Sequence, residues 1–290
     1  MVIKNIVLSG GGYIGLHQLG VLKYLNEVKF YNIEDIKSIY ATSVGSIVGV
    51  MLSLKIPMKD IIEYIVNKPW HKFITLEPSS IIDIYYNKGL LDKCFFITIL
   101  EPLLKAVDLG ISITMEEFYK YSNIKLCVCV YNIDKNKYEI IDPIKDPDLL
   151  LIDAIYMSCC VPFVFQPCKY KDSYYIDGGI ENNYPIKDCL TREKLNKTEI
   201  LGIKIHSNEK NSIDEENIFN YATYIIHKLI DRISVIERVS GINEIIIPSS
   251  KFSLITLSDT IKEREKRREF IETGYNYGQV FYHSSQEKNG

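Results

Sequence analysis

The chain has 290 residues, 47% hydrophobic and 24% charged, with a formal net charge of −3. This length fits one large domain or two small ones, and the core can be large without disulfides or metals. The acidic balance argues against a nucleic-acid surface, and no apolar run reaches transmembrane length.

Ile3 to Leu8 is a near-continuous apolar run, as in a strand buried on both faces. No secretory leader is expected ahead of it. The glycine turn Ser9-Gly10-Gly11-Gly12-Tyr13-Ile14-Gly15 follows. Leu16, Leu19, Leu22 and Leu25 recur every third residue and predict an amphipathic helix. Ile36 to Tyr40 predicts a second strand. It runs into Ala41-Thr42-Ser43-Val44-Gly45-Ser46, and Ile47 to Leu54 predicts a helix that stops before Pro57. Ser43 therefore stands at a sharp strand-to-helix bend, beside N–H groups that favour negative charge. An ordinary buried turn has the same small residues, so this stretch alone leaves both readings open.

Met58 to Val66 predicts a helix ended by Asn67-Lys68-Pro69. Trp70 to Asn87 is irregular and rich in aromatics. A helix is predicted from about Leu90 to Val107, with a boundary at Glu101-Pro102. Ile124 to Tyr131 and Tyr138 to Asp142 predict a hairpin. Asp146-Pro147 reads as a helix start, with an acidic cap and Pro at the first position, and that helix should run to about Met157. Short strands around Lys169-Tyr170 and Tyr174-Ile176 lead to Asp177-Gly178-Gly179. Leu201 to Ile205 predicts a strand and Asn208 to Asn217 a polar loop. Ile218 to Val239 predicts a long helix, Glu244 to Ile247 a strand, and Asp259 to Tyr282 a final helix.

This order predicts an α/β fold, a mostly parallel central sheet with helices on both faces, forming a single domain over residues 1–290. The seven cysteines include no CxxC pair, so reduced and mostly buried thiols are expected.

Three pieces could assemble one site. Gly10-Gly11-Gly12-x-x-Gly15 matches the dinucleotide-binding string, but that fold needs an acid at the end of the second strand. Here that strand ends in Ala41-Thr42-Ser43, and Glu34 and Asp35 lie at its other end. The alternative use of such a turn is to aim backbone N–H groups at a developing oxyanion. Ser43, as a nucleophile, needs a base. None of His17, His71, His206, His227 and His283 sits in a distinctive loop motif. The order Ser43, Asp177, His206 would suit an α/β-hydrolase triad, though nothing local supports His206. Asp177-Gly178-Gly179 ends a strand with a carboxylate and a tight turn, and taken alone it reads as a plain β-turn with Asp at its first position, which is very common.

Together and in this order, the pieces resemble the patatin-like phospholipase family. Its glycine-rich turn, G-x-S-x-G elbow and Asp-Gly-Gly/Ala are matched by Gly10 to Gly15, Ala41 to Gly45 and Asp177 to Gly179. Leu19-Gly20-Val21-Leu22, Met157-Ser158-Cys159-Cys160-Val161-Pro162 with Phe165, and Asn182-Asn183-Tyr184-Pro185 also resemble family segments. The match covers about residues 4 to 190. The resemblance implies a three-layer α/β/α fold and a lipid acyl hydrolase of phospholipase A type. Ser43 would be the nucleophile, Asp177 the general base of a Ser–Asp dyad, and the N–H groups of Gly10, Gly11 and Gly12 the oxyanion hole. Gly15, Ala41, Val44, Gly45, Gly178 and Gly179 would support the elbow and turns. No cofactor or metal is implied.

Two positions depart from the family. Ile14 stands where Arg or Lys is usual, and Ala41 replaces the first elbow Gly. A slow or inactive lipid-binding homologue is therefore the alternative, with a dinucleotide binder behind it. The partner expected is a lipid substrate, with peripheral membrane contact and no nucleic acid, and the oligomeric state is left open. Trp70, Phe73, Ile81, Tyr85, Tyr86 and Phe163 to Phe165 are candidates for the wall or mouth of an acyl channel, or for ordinary core. Lys262, Arg264, Lys266, Arg267 and Arg268 could meet anionic lipid, but Glu263, Glu265 and Glu269 interleave with them as on a solvated helix face.

Overall fold

The computed structural model describes residues 2–74, 86–194, 196–207, 239–249 and 253–287, with 221–222, 224–226 and 228–230 between them. Ile81, Tyr85, His227 and the Asn208 to Asn217 loop lie outside the described residues, as does much of the Ile218 to Val239 helix.

Strand β1 (Asn5–Leu8) runs into a 3-10 turn (Gly12–Gly15) and helix α1 (Leu16–Glu27). Strand β2 (Ser38–Thr42), helix α2 (Val44–Ser53) and helix α3 (Met58–Asn67) follow. After β3 (Gly89–Leu91) come α4 (Lys93–Lys105), α5 (Met115–Ser122), β4 (Lys125–Asn132), β5 (Lys137–Ile141) and α6 (Leu151–Cys159). Then β6 (Phe163–Phe165), β7 (Cys168–Tyr170) and β8 (Ser173–Asp177) lead to α7 (Gly179–Asn182) and α8 (Ile186–Glu193). Strands β9 (Ile200–Ser207) and β10 (Asn243–Ser249) and helices α9 (Leu254–Lys262) and α10 (Arg264–Glu287) complete the described order.

The main sheet has the order β10-β9-β1-β2-β4-β8-β7, with β5 also on β4. The run from β10 to β4 is parallel, while β5, β8 and β7 join antiparallel. Side chains alternate between two cores, as the pleat requires. Ile6, Leu8, Ile39, Ala41 and Val128 face a large one with α1, α2 and α6. Val7, Tyr40, Cys127 and Cys129 face a smaller one closed by Ile186 and Cys189 of α8. Helices thus cover both faces, as the sequence predicts.

Strand β4 positions the site. Its residues Lys125 to Cys129 pair with β2, and Val130 to Asn132 pair with β8. Strand β5 occupies the opposite edge over Val128 to Asn132. So β2 and β8 lie end to end on one edge. Thr42 pairs with Cys129, and Asp177 with the very next residue, Val130.

Several expectations change. Helix α1 is not amphipathic in place: His17, Gln18, Gly20 and Tyr24 are buried along with Leu19, Leu22 and Leu25. The reason is α10, which crosses it closely. A Cβ on Gly20 would fall 1.9 Å from the Ile271 carbonyl oxygen, and one on Gly274 would fall 2.0 Å from that of His17. The expected helix start at Leu90 gives way to β3, with Asp92 capping α4. Pro102 does not end α4. It cannot donate to the Thr98 carbonyl, but Lys68 Nζ (2.6 Å) and Tyr64 Oη (3.3 Å) donate there instead. Asp146-Pro147 does not start a helix. Leu150 first bridges Thr114 in extended conformation, and α6 begins only at Leu151. The final helix is two, broken at Glu263.

Arg267 is buried and donates to the carbonyls of Val66, Lys68, Thr260 and Ile261. It therefore caps the C-terminal ends of α3 and α9 together, where a cation complements the helix dipoles. Arg264 and Arg268 pair with Glu265, and Lys266 with Glu269. The basic cluster is thus divided between a structural clasp and an ion-paired face. Six of the seven cysteines are buried, and all are free thiols; Cys94 is exposed.

Candidate active site

Ser43 caps α2 with φ 53° and ψ −130°, a conformation that L-residues adopt only under constraint. Its N–H donates to Ser158 Oγ at 2.9 Å. Its carbonyl accepts the Ser46 N–H at 2.8 Å and the Ser46 hydroxyl at 2.6 Å. Gly45 lets α2 start against β1: a Cβ there would lie 2.7 Å from the Leu8 carbonyl oxygen and 2.8 Å from that of Ser9. Gly15 packs on Val44 in the same way, so the starts of α1 and α2 lie side by side.

Asp177 ends β8 and is 2% exposed. Its Oδ1 accepts the Gly179 N–H at 2.7 Å. Its Oδ2 is buried without a partner at hydrogen-bond distance. The Ser43 hydroxyl stands near enough to favour the carboxylate, without closing a full hydrogen bond to Oδ2. Such contacts are commonly long in a free enzyme and tighten around a substrate. Burial dominates the electrostatics. It pushes the Asp177 pKa from 3.8 up to about 6, with Ser43 and the Gly179 N–H opposing it. The adjacent Cys159 thiol is raised well above its ordinary value by burial and by the Asp177 charge, so it is inert as a nucleophile.

The glycine turn approaches from β1. Gly10 lies against Ser43: a Cβ there would stand 3.1 Å from Ser43 Cβ. Its N–H, however, donates to the Asn183 carbonyl at 3.0 Å. Gly10 was expected to be an oxyanion donor, and its proton is engaged elsewhere. Gly12 has φ 56°, a turn open to glycine, and Ile14 N–H closes it on the Gly11 carbonyl at 3.2 Å. Asn182 takes the Thr42 hydroxyl on its carbonyl at 2.9 Å, so the segment after Asp177 anchors both the turn and the bend at Ser43.

A cavity of about 230 Å³ opens on Ser43, Asp177 and Gly10 to Gly12, and its lining is mostly apolar. Ile47, Val48 and Met51 enter from α2, and Phe95, Phe96 and Ile99 from α4. Of the aromatics expected at a channel, Trp70 is a buried wall, held by its Nε1–H on the Ile65 carbonyl at 2.7 Å. Val164 and Phe165 also line it, while Phe73, Tyr86 and Phe163 are exposed. The α4 wall was missed from sequence, although Phe95, Phe96 and Ile99 carry a helical spacing. No described histidine lines the cavity. His17 packs in the core, with Nδ1 against the Ile14 carbonyl and its ring near Phe270. Tyr13 and Ile14 are also buried there, so the position that usually holds a cation is part of the packing.

A family model described as patatin-like phospholipase matches residues 6–190. The chain belongs to that family. It is 30% identical over 195 residues to a probable lipid hydrolase of Invertebrate iridescent virus 6, covering 67% of this chain and 66% of the relative. It is 26% identical over 209 residues to an uncharacterized protein of Acanthamoeba polyphaga mimivirus, covering 72% and 67%. In structure it is similar to VipD from Legionella pneumophila, with a TM-score of 0.55 and 17% identity over 97% of this chain and 67% of that one. The chain thus spans about two thirds of the length of these relatives. No helix among the described residues is long and apolar enough to cross a membrane.

Proposed function

We propose that the protein is a lipid ester hydrolase of phospholipase A type, working through Ser43 and Asp177. The observation that carries this reading is the meeting of an elbow serine with a buried, half-satisfied carboxylate across adjacent residues of β4. Family membership and the viral lipid hydrolase support the reaction class.

Asp177 takes the Ser43 hydroxyl proton as Oγ attacks the ester carbonyl carbon. The N–H groups of Gly11 and Gly12 hold the oxyanion, with Gly10 keeping the turn on Asn183. Collapse breaks the ester bond, and Asp177 returns the proton to the departing alkoxide. Water then attacks the acyl-serine and gives its proton to Asp177; collapse breaks the acyl–Oγ bond, and Asp177 returns that proton to Ser43 Oγ as the fatty acid leaves. The apolar cavity would hold the acyl chain during both steps. The exposed Phe73, Tyr86 and Phe163 support peripheral contact with a lipid surface. The packing of α10 along α1 supports one unit over the whole chain.

Purified protein should release fatty acid from phosphatidylcholine vesicles and p-nitrophenyl esters, and a fluorophosphonate should label Ser43. Ser43→Ala should abolish both. Lipid binding without labelling would replace this reading with a non-catalytic one.

A further inference from the structure

Ser158 stands at the C-terminal end of α6, fully buried, and it is not part of the chemistry described so far. Its hydroxyl makes two bonds. It accepts the Ser43 N–H at 2.9 Å and donates to the Cys129 carbonyl at 2.7 Å. Two residues on, the Cys160 carbonyl accepts the Asp177 N–H at 3.2 Å. One turn of chain therefore grips the backbone of both the nucleophile and the base.

The Cys129 carbonyl is itself the shared reference. Cys129 is the β4 residue that pairs with Thr42, and Val130 pairs with Asp177. Gly178 also approaches this peptide so closely that a Cβ would fall 2.4 Å from the Cys129 oxygen. Ser158 thus ties the elbow to the same peptide that holds the base strand. The tie acts where the backbone is strained, since Ser43 keeps φ 53° only while its surroundings impose it.

We propose that Ser158 is a positioning residue for Ser43, setting the approach of its hydroxyl to Asp177 through the Ser43 N–H. This rests on the proposed hydrolase reading. Without the hydroxyl, the Thr42–Ser43 peptide relaxes, and the serine samples its reactive orientation only part of the time. Apolar contacts with the acyl chain are untouched, so the loss falls on the chemical step and not on binding.

The test compares wild type with Ser158→Ala, Ser158→Cys and Ser158→Thr. It measures kcat, KM, the rate of fluorophosphonate labelling, and thermal stability. Ser158→Cys exchanges one oxygen for a somewhat larger sulfur and weakens both bonds. It should lower kcat and the labelling rate together, by roughly tenfold to hundredfold, the range that relaxing one strained residue allows. KM should stay within about twofold, because ground-state binding is unchanged. Ser158→Thr, which keeps the hydroxyl, should recover most of the rate. If Ser158→Ala does not fold, the cysteine variant decides. A wild-type kcat and labelling rate in Ser158→Cys would overturn the proposal, and so would a loss confined to KM. A wild-type protein that neither labels nor turns over would instead overturn the hydrolase reading itself.

Discussion

Asp177→Asn should abolish hydrolysis and, at the same time, stabilise the fold. The folded protein raises the Asp177 pKa from 3.8 to about 6, chiefly by burial. The folded state therefore binds this proton more tightly than the unfolded chain. As pH rises from about 4 to 6 the folded carboxyl keeps a proton that the unfolded one loses, so stability falls across that window. Above it the penalty is constant. At about 1.4 kcal/mol per pKa unit the gap corresponds to about 3 kcal/mol. An asparagine carries no charge to desolvate, and its Oδ1 can still accept the Gly179 N–H. Some of the charge-assisted strength of that bond is lost, which leaves a net gain of about 2 kcal/mol. Urea and thermal unfolding of both proteins at pH 8, 6 and 4 measure it. The variant should be the more stable at pH 8, with its midpoint temperature raised by roughly 5 °C. The advantage should shrink through pH 6 and be gone near pH 4. A variant less stable than wild type by the same amount at all three values would refute the claim that Asp177 sits desolvated and incompletely paired.

Three further outcomes are expected. With a neutral ester, kcat/KM should rise with pH through about 6 and level off above it, because only ionised Asp177 accepts the Ser43 proton; a profile flat from pH 5 to 8 would remove it as the base. Gly45→Ala should destabilise by about 1–3 kcal/mol, since its Cβ meets backbone oxygens of Leu8 and Ser9 that cannot step aside; denaturant midpoints check this, and a neutral result would mean that α2 shifts freely. Arg267→Met should destabilise by about 2–4 kcal/mol by uncapping α3 and α9, and amide exchange should quicken at the C-terminal ends of these two helices.

The pieces of the candidate site were legible because each is local. A glycine turn, a serine among small residues and an Asp-Gly-Gly each need their own neighbours to form, so each leaves a mark in a few consecutive letters. The strands are legible for the same reason, as Ile3 to Leu8 and Ile124 to Tyr131 are apolar wherever they are placed. What failed depends on partners far away. Pro102 stays inside α4 while Lys68 and Tyr64 reach the Thr98 carbonyl that it leaves without a donor. Asp146-Pro147 loses its helix to a bridge with Thr114, and α1 loses its polar face to α10, which lies some 250 residues further along in the order of the chain. Ser158 is the sharpest case. Its segment resembles a family motif, but the letters do not say what the hydroxyl holds, and that appears only when Ser43 and Cys129 arrive beside it.

The two departures from the family pattern fall differently once the backbone is considered. Ala41 lies in β2, paired with Leu8 on one side and Val128 on the other, in extended conformation with its methyl in the large core. A strand residue needs no glycine, and it is Gly45 that lies against the backbone of β1 at the elbow. Ala41→Gly should therefore cost stability, by about 1 kcal/mol, while leaving kcat unchanged. Ile14 is a different matter. It is 5% exposed and packs with Tyr13 in the core, so no charge stands there. Nor does Arg267 replace it: although it lines the cavity, its guanidinium donates to four backbone carbonyls. At this point of the site the oxyanion would thus be held by the glycine-turn N–H groups without a neighbouring guanidinium in support. Glycine-turn geometry then becomes the more exacting requirement, which is consistent with the turn being fastened at Gly10 to Asn183 and at Ser9 to Gln18 and Ile205.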